Sequence, residues 1–304
     1  MRKVLTTCIG LFVGSCSIAP RVDDLGGLDT FDVHDRLRCE VRDAIRDVTI
    51  EYVQDYDSAL AAALREGRKT FAEAYETKHP KLRKIFDKYD GVTVGYAFTV
   101  DIKEDYDTGG GAGLGRSFRG GSDSIGFTVT FNRQRRNIRT SRLQDEFGSL
   151  ATKLSEATCP FLKKIPNYAY PMFGDLGIRM FVKAFLDANE AQRLIGPPDH
   201  PDIPTMSENL QFVTKIGASV NPGVAVAAVG RVFELASGNL KFDESREDSH
   251  QVIITLALPP EDKTKGRPFR RARVRDAIVE SQERALQIQD SQSFRDLSQR
   301  FDLR

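Results

Sequence analysis

The chain has 304 residues, of which 40% are hydrophobic and 29% charged, with 44 basic and 43 acidic side chains. Such a chain buries a real core, as one large domain or two small ones, and is not disordered. A net charge of +1, or −1 once Arg2 and Lys3 are removed, excludes a dedicated nucleic-acid binder, which would be basic over a whole face.

Arg2 and Lys3 open a positive segment, and Val4 to Val13 follows as ten mostly apolar residues. That is the length of a signal-peptide core, whereas a bilayer span needs about 20 residues. No other apolar run approaches that length, so no second crossing is expected. The run ends in Val13-Gly14-Ser15-Cys16: an aliphatic residue, two small ones that leave the backbone open to a protease, and a thiol. This stretch resembles the bacterial lipobox. The resemblance implies that residues 1–15 are a signal peptide, that the Cys16 sulfur receives a diacylglyceryl group, and that the new amino terminus gains a further acyl chain such as palmitate. Several acyl chains, at about 0.8 kcal/mol per buried methylene, make such an anchor nearly permanent. Ser17 rather than aspartate follows the cysteine, which in Gram-negative members implies the outer membrane. Cys8 would leave with the leader. Cys39 and Cys159 remain, and in an oxidising periplasm they are either one disulfide or two buried thiols.

Residues 16–30 read as a tether, with Pro20 and Gly26-Gly27. From Asp32 onward, Val33, Leu37, Val41, Ile45 and Val48 recur at three and four residues and predict a helix carrying Cys39-Glu40. A second helix is predicted over residues 58–77; His79-Pro80 interrupts it before a short continuation from Lys81 to Tyr89. Alternation of Tyr96, Phe98, Val100 and Ile102, and then of Phe127, Val129 and Phe131, predicts strands that bury one face. Between them, residues 103–126 carry eight glycines and read as a flexible excursion. Helices are expected again over residues 141–158 and 175–194. A second strand block spans residues 210–258 and ends in the alternating Val252, Ile254, Leu256 and Leu258 before Pro259-Pro260. From Glu261 the chain turns to charge, and its thin apolar stripe (Ala277, Ile278, Ala285, Leu286) predicts a weak, loosely docked or disordered tail.

The expected fold class is α+β: two antiparallel strand modules, each preceded by helices, at residues 31–140 and 141–260, with the charged tail at 261–304. The repeated order leaves an internal duplication open. The layout resembles a group of uncharacterised proteobacterial lipoproteins. They carry a lipobox, a helix with a Cys-Glu pair (here Cys39-Glu40) and a His-bearing strand (here Ser249-His250-Gln251-Val252). That group brings an envelope location and no established activity.

No chemistry-bearing motif stands out. Gly111-Ala112-Gly113-Leu114-Gly115 lacks the third glycine of a dinucleotide loop and is followed by a strand rather than a helix. His34, His79, His200 and His250 show no metal-ligand spacing, no serine sits in a nucleophile elbow, and no cofactor or metal is expected. The strongest functional signal is arginine. Arg133, Arg135, Arg136 and Arg139 follow the first strand block, and Arg270, Arg271, Arg273 and Arg275 follow the second. Guanidinium forks suit phosphates and carboxylates, which the envelope supplies as lipid head groups, lipopolysaccharide and peptidoglycan. The expectation is an outer-membrane-anchored lipoprotein, its body in the periplasm or at the cell surface, that binds or scaffolds anionic envelope components or an envelope protein without catalysis. The alternatives are an envelope hydrolase using His250 or His200 with nearby carboxylates, and an accessory subunit of a secretion or transport complex.

Overall fold

Helix α1 (Thr30–Gln54) forms because its apolar residues fall on one stripe, and Val33, Leu37, Val41, Ile45 and Val48 are all buried. The computed structural model describes residues 30–118, 121–154, 159, 176–225, 234–260 and 267–302. The further helices are α2 (Ser58–Arg65), α3 (Phe71–Tyr75), α4 (Pro80–Tyr89), α5 (Phe147–Lys153), α6 (Ile178–Glu190) and α7 (Arg267–Asp302). The strands are β1 (Thr93–Phe118), β2 (Gly121–Glu146), β3 (Thr205–Val220), β4 (Gly223–Ala225) and β5 (Glu234–Ala257). The fold is α+β. Its antiparallel sheet has the order β2-β1-β5-β3, with β4 paired to β5. Both strand blocks of the sequence enter this one sheet, because β1 has β2 on one side and β5 on the other.

Two compact units are built from interleaved segments. Among the described residues, a sheet unit takes 101–138 and 214–248, and a helical unit takes those of 26–100, 139–213 and 249–304. The long strands β1, β2, β3 and β5 contribute residues to both.

In the helical unit, α1 packs against α2, α5 and α6. Arg38 on α1 forks onto Asp145 (2.7 and 2.9 Å), and Arg46 donates to the Ala151 carbonyl. Cys39 and Cys159 are joined by a disulfide and fully buried, with Leu154 against them. The segment expected as one helix over 58–77 is two, because Gly67 takes the left-handed backbone (φ 69°) after α2 and the chain restarts at a capping box. There Glu73 accepts from the Thr70 amide, while Thr70 accepts from the Glu73 amide. Residues 141–146, expected as helix, complete β2, and the amide of Phe147 bonds the Val92 carbonyl where α5 begins. The tail docks instead of remaining loose. Val274, Ala277, Ile278 and Gln282 are buried, and Ile203 and Ala257 join the same cluster. Gly95 makes this close approach possible, since a Cβ there would collide with Ile278.

In the sheet unit, the glycine-rich excursion expected over residues 103–126 is regular strand on β1 and β2. A Cβ at Gly111 or Gly113 would press on the Asn239 or Ser237 side chain of β5. Glycine there serves close strand contact rather than a loop. The alternation of Phe127, Val129 and Phe131 does not bury a face. All three stay more than half exposed, because no described helix of this unit covers them. The opposite face is polar and cross-linked: Gln134 donates to Asp105, Arg136 forks onto Asp101, Ser219 donates to Asp243, and Lys215 pairs with Glu247.

Candidate functional site

Helix α4 begins at Pro80, whose fixed φ suits the first helical position, and its exposed face repeats charge: Arg83, Lys84, Asp87 and Lys88. Within the helical unit these residues, together with Asp90, Glu146, Arg270 and Arg271, wall a cleft of about 670 Å³. Leu258, Pro259, Pro260 and Val274 supply its apolar part. The volume lies in the range of small-molecule sites, and a mixed apolar and charged lining is what such sites use to orient a ligand.

Five cations and three carboxylates line the cleft, an excess of two positive charges. Most of them are already engaged. Arg83 donates to Asp87 (3.1 Å), Arg271 grips Glu146 (2.7 and 3.1 Å), and Lys88 reaches Glu190 (3.0 Å) while lying over the Tyr89 ring. Burial pushes the Tyr89 hydroxyl far above its ordinary value, and its hydrogen bond to Glu190 adds to the effect. Burial acts upward on Glu190 too, but the bonds from Tyr89 and Lys88 outweigh it and hold that carboxyl below the usual range. Lys84 and Arg270 have no ion-pair partner among the described residues, and they carry the surplus charge. The lining contains no histidine, cysteine or serine.

The eight arginines singled out in the sequence do not converge. Arg270 and Arg271 face the cleft. Arg273 forks onto Asp202 (2.9 and 2.6 Å) and Arg275 lies 3.5 Å from Asp276. Arg139 is an exposed residue of the helical unit. Arg133, Arg135 and Arg136 belong to the sheet unit, where Arg136 holds Asp101 and Arg135 sits over the Tyr106 ring at 5.7 Å. The cleft's other cations, Arg83, Lys84 and Lys88, were hidden in the sequence as an ordinary solvated helix face. Cys16 lies outside the described residues. Of the histidines considered for hydrolysis, His250 is buried in β5, and His200 sits in a tight turn with its amide on the Pro197 carbonyl. His34, also buried, lies 3.0 Å from the Ser141 hydroxyl and against the Phe98 ring, a pairing across 107 positions that the sequence did not reveal. Among the described residues no three His, Cys, Asp or Glu side chains group to hold a metal, and no helix is long and apolar enough to cross a membrane.

A family described as "Uncharacterised protein y4kA" matches residues 19–285. The chain is similar to "Uncharacterized protein y4kA" of Sinorhizobium fredii, with 27% identity over 308 residues, covering 94% of this chain and 95% of that protein. Among solved structures, a Salmonella type III secretion secretin, InvG in its open gate state, aligns over 66% of this chain and 69% of its own. Its TM-score of 0.15 and 11% identity carry no argument about fold or function. The family match runs through α1, the whole sheet and most of α7, and the chain therefore belongs to the Y4kA family.

Proposed function

We propose that this Y4kA-family chain is a lipoprotein of the bacterial outer membrane whose body is a non-enzymatic binding module for an anionic envelope component. The observation that carries the binding reading is the cleft between α4 and the start of α7, where Lys84 and Arg270 make no ion pair with a described carboxylate. Phosphate and carboxylate groups of lipopolysaccharide or peptidoglycan match that charge and volume. The Cys39–Cys159 disulfide supports an exported location, since such bonds persist in oxidising compartments. The leader ending at Ser15 and the lipobox cysteine Cys16 supply the anchor in this reading.

Two measurements test it. Cells expressing wild type and Cys16→Ser are fractionated and the intact mass of each protein is taken. An acylated species starting at Cys16 in the outer membrane, absent from the variant, is the expected result. Soluble protein that retains residues 1–15 sinks the anchor. For the cleft, purified protein is titrated with lipopolysaccharide micelles and co-sedimented with isolated peptidoglycan. Lys84→Gln/Arg270→Gln is expected to weaken one of the two by about tenfold or more at low salt, with little change in stability. Equal binding by wild type and variant excludes the cleft.

A further inference from the structure

The sheet unit has two faces of opposite character, and strand register shows which residues share each. Gln134 meets Asp105 and Arg136 meets Asp101, so the even positions of β2 lie with the odd positions of β1 on the polar face. Ser219 meets Asp243 on that same face, so Val220 points the other way. On the opposite face a Cβ at Gly110 would touch Leu240 at 3.3 Å, which places Leu240 among the outward apolar residues. That face presents Ile125, Phe127, Val129, Phe131, Val220 and Leu240, between 46% and 64% exposed.

Isolated exposed apolar side chains are ordinary; six on one flat face are not. Ile125 to Phe131 spans roughly 20 Å along the strand, and the four strand axes span roughly 14 Å across, a patch on the order of several hundred Å². Its middle strand adds only the small side chains of Thr108 and Ala112 and none at Gly110, which leaves the larger apolar groups of its neighbours standing above it. Charge brackets the band on the same face. At one end Arg116 pairs with Asp123 (2.6 Å), and at the other Arg133 and Arg135 follow Phe131, with Arg135 lying over Tyr106. Arg133 has no ion-pair partner among the described residues. Tyr106 also donates to Glu104, and the apolar band with Arg133, Arg135 and this tyrosine at its end has the groups by which a surface rests in acyl chains and reaches for head-group phosphates. We propose that this face of the sheet unit is a membrane-contact surface, which lies flat on anionic phospholipid with its Phe, Ile, Val and Leu side chains in the hydrocarbon. The polar face, whose charges are mutually paired, remains in water. Strand edges stay at the interface, where water satisfies them, so no crossing of the bilayer is involved. The surface does not depend on acylation at Cys16.

The chain contains no tryptophan, which makes a direct test available. The full chain carrying Cys16→Ala receives a single probe, Phe127→Trp on the apolar face or Thr128→Trp on the polar one. Each is mixed with vesicles of phosphatidylglycerol and phosphatidylcholine, with and without brominated acyl chains. The expected result is a blue shift and bromine quenching at position 127 and neither at 128. Phe127→Ser/Phe131→Ser should reduce vesicle partitioning by about tenfold or more without changing the thermal midpoint. Arg133→Gln, or vesicles of phosphatidylcholine alone, should reduce it roughly fivefold. Because the leader is common to all these proteins, the differences between them report on the sheet alone. Equal quenching at both positions, no quenching at 127, or a blue shift without lipid that accompanies dimerisation in sedimentation would each overturn the proposal; the last would assign the face to a second copy.

Discussion

The two units apply the same strand pattern to opposite ends. In the helical unit, Tyr96, Phe98 and Val100 alternate along β1 and are buried. In the sheet unit, Phe127, Val129 and Phe131 alternate just as regularly along β2 and are exposed. Period-two alternation therefore reports that a strand has an apolar face and says nothing of what covers it. Cover comes from elsewhere in the chain: on α1, His34 lies against the Phe98 ring of the first set, while no described helix belongs to the unit of the second. The helical unit should consequently hold most of the stability, and the sheet unit should tolerate change.

The largest expected effect comes from the disulfide. Its partners are 120 positions apart, so replacing both with alanine should cost about 4 kcal/mol, read as a lower guanidinium midpoint against the oxidised wild type. Amide exchange over residues 101–138 in the same variant sharpens the comparison: parallel loss of protection there would show that the two regions open as one. Next comes a matched pair. Phe185 on α6 is fully buried and its truncation to alanine should cost about 3–5 kcal/mol, whereas Phe127→Ala should stay within about 0.5 kcal/mol. Comparable losses from both would break the distinction.

Smaller effects probe the helical unit alone. Thr70→Ala removes one half of the capping box at α3 and should cost about 1 kcal/mol in urea unfolding. The smallest is a pH effect at the tail. The hydrogen bond from Arg273 holds the Asp202 carboxyl below its ordinary value, against an opposing contribution from burial. A carboxyl depressed on folding stabilises the native state above its unfolded pKa, and that contribution disappears as pH falls through the folded value. The pair is largely solvated, so Asp202→Asn should lose only a few tenths of a kcal/mol at neutral pH. The gap from wild type should close as pH falls below the ordinary carboxylate range, about 4. A gap that persists in acid would mean the aspartate acts through something other than its charge.

Helix α1 and the strand at Tyr96 were readable because their side chains are large, apolar and periodic. The glycine stretch of β1 was not: Gly109, Gly111 and Gly113 have no side chain to show a period, and their role is visible only against the neighbouring strands β2 and β5. Helix α7 was underread because its docking uses three small or medium apolar residues and a glycine on the facing strand, which the apolar pattern of the tail alone does not reveal. The cleft was half legible. Arg270 and Arg271 stood out within a basic run, but Arg83, Lys84 and Lys88 come from a helix far away in sequence, and only the fold sets them together.

The position of β1 in the sheet also governs how the chain must be made. Its neighbour β2 follows at once, but its other neighbour, β5, arrives only with residues 234–257. During synthesis the β1–β2 pair is therefore complete while one long flank of β1 still offers its amides and carbonyls to any passing strand. A nascent chain stalled before residue 234 is, in this respect, half of a hairpin-templated aggregate, and timely delivery of its last quarter is what closes that flank.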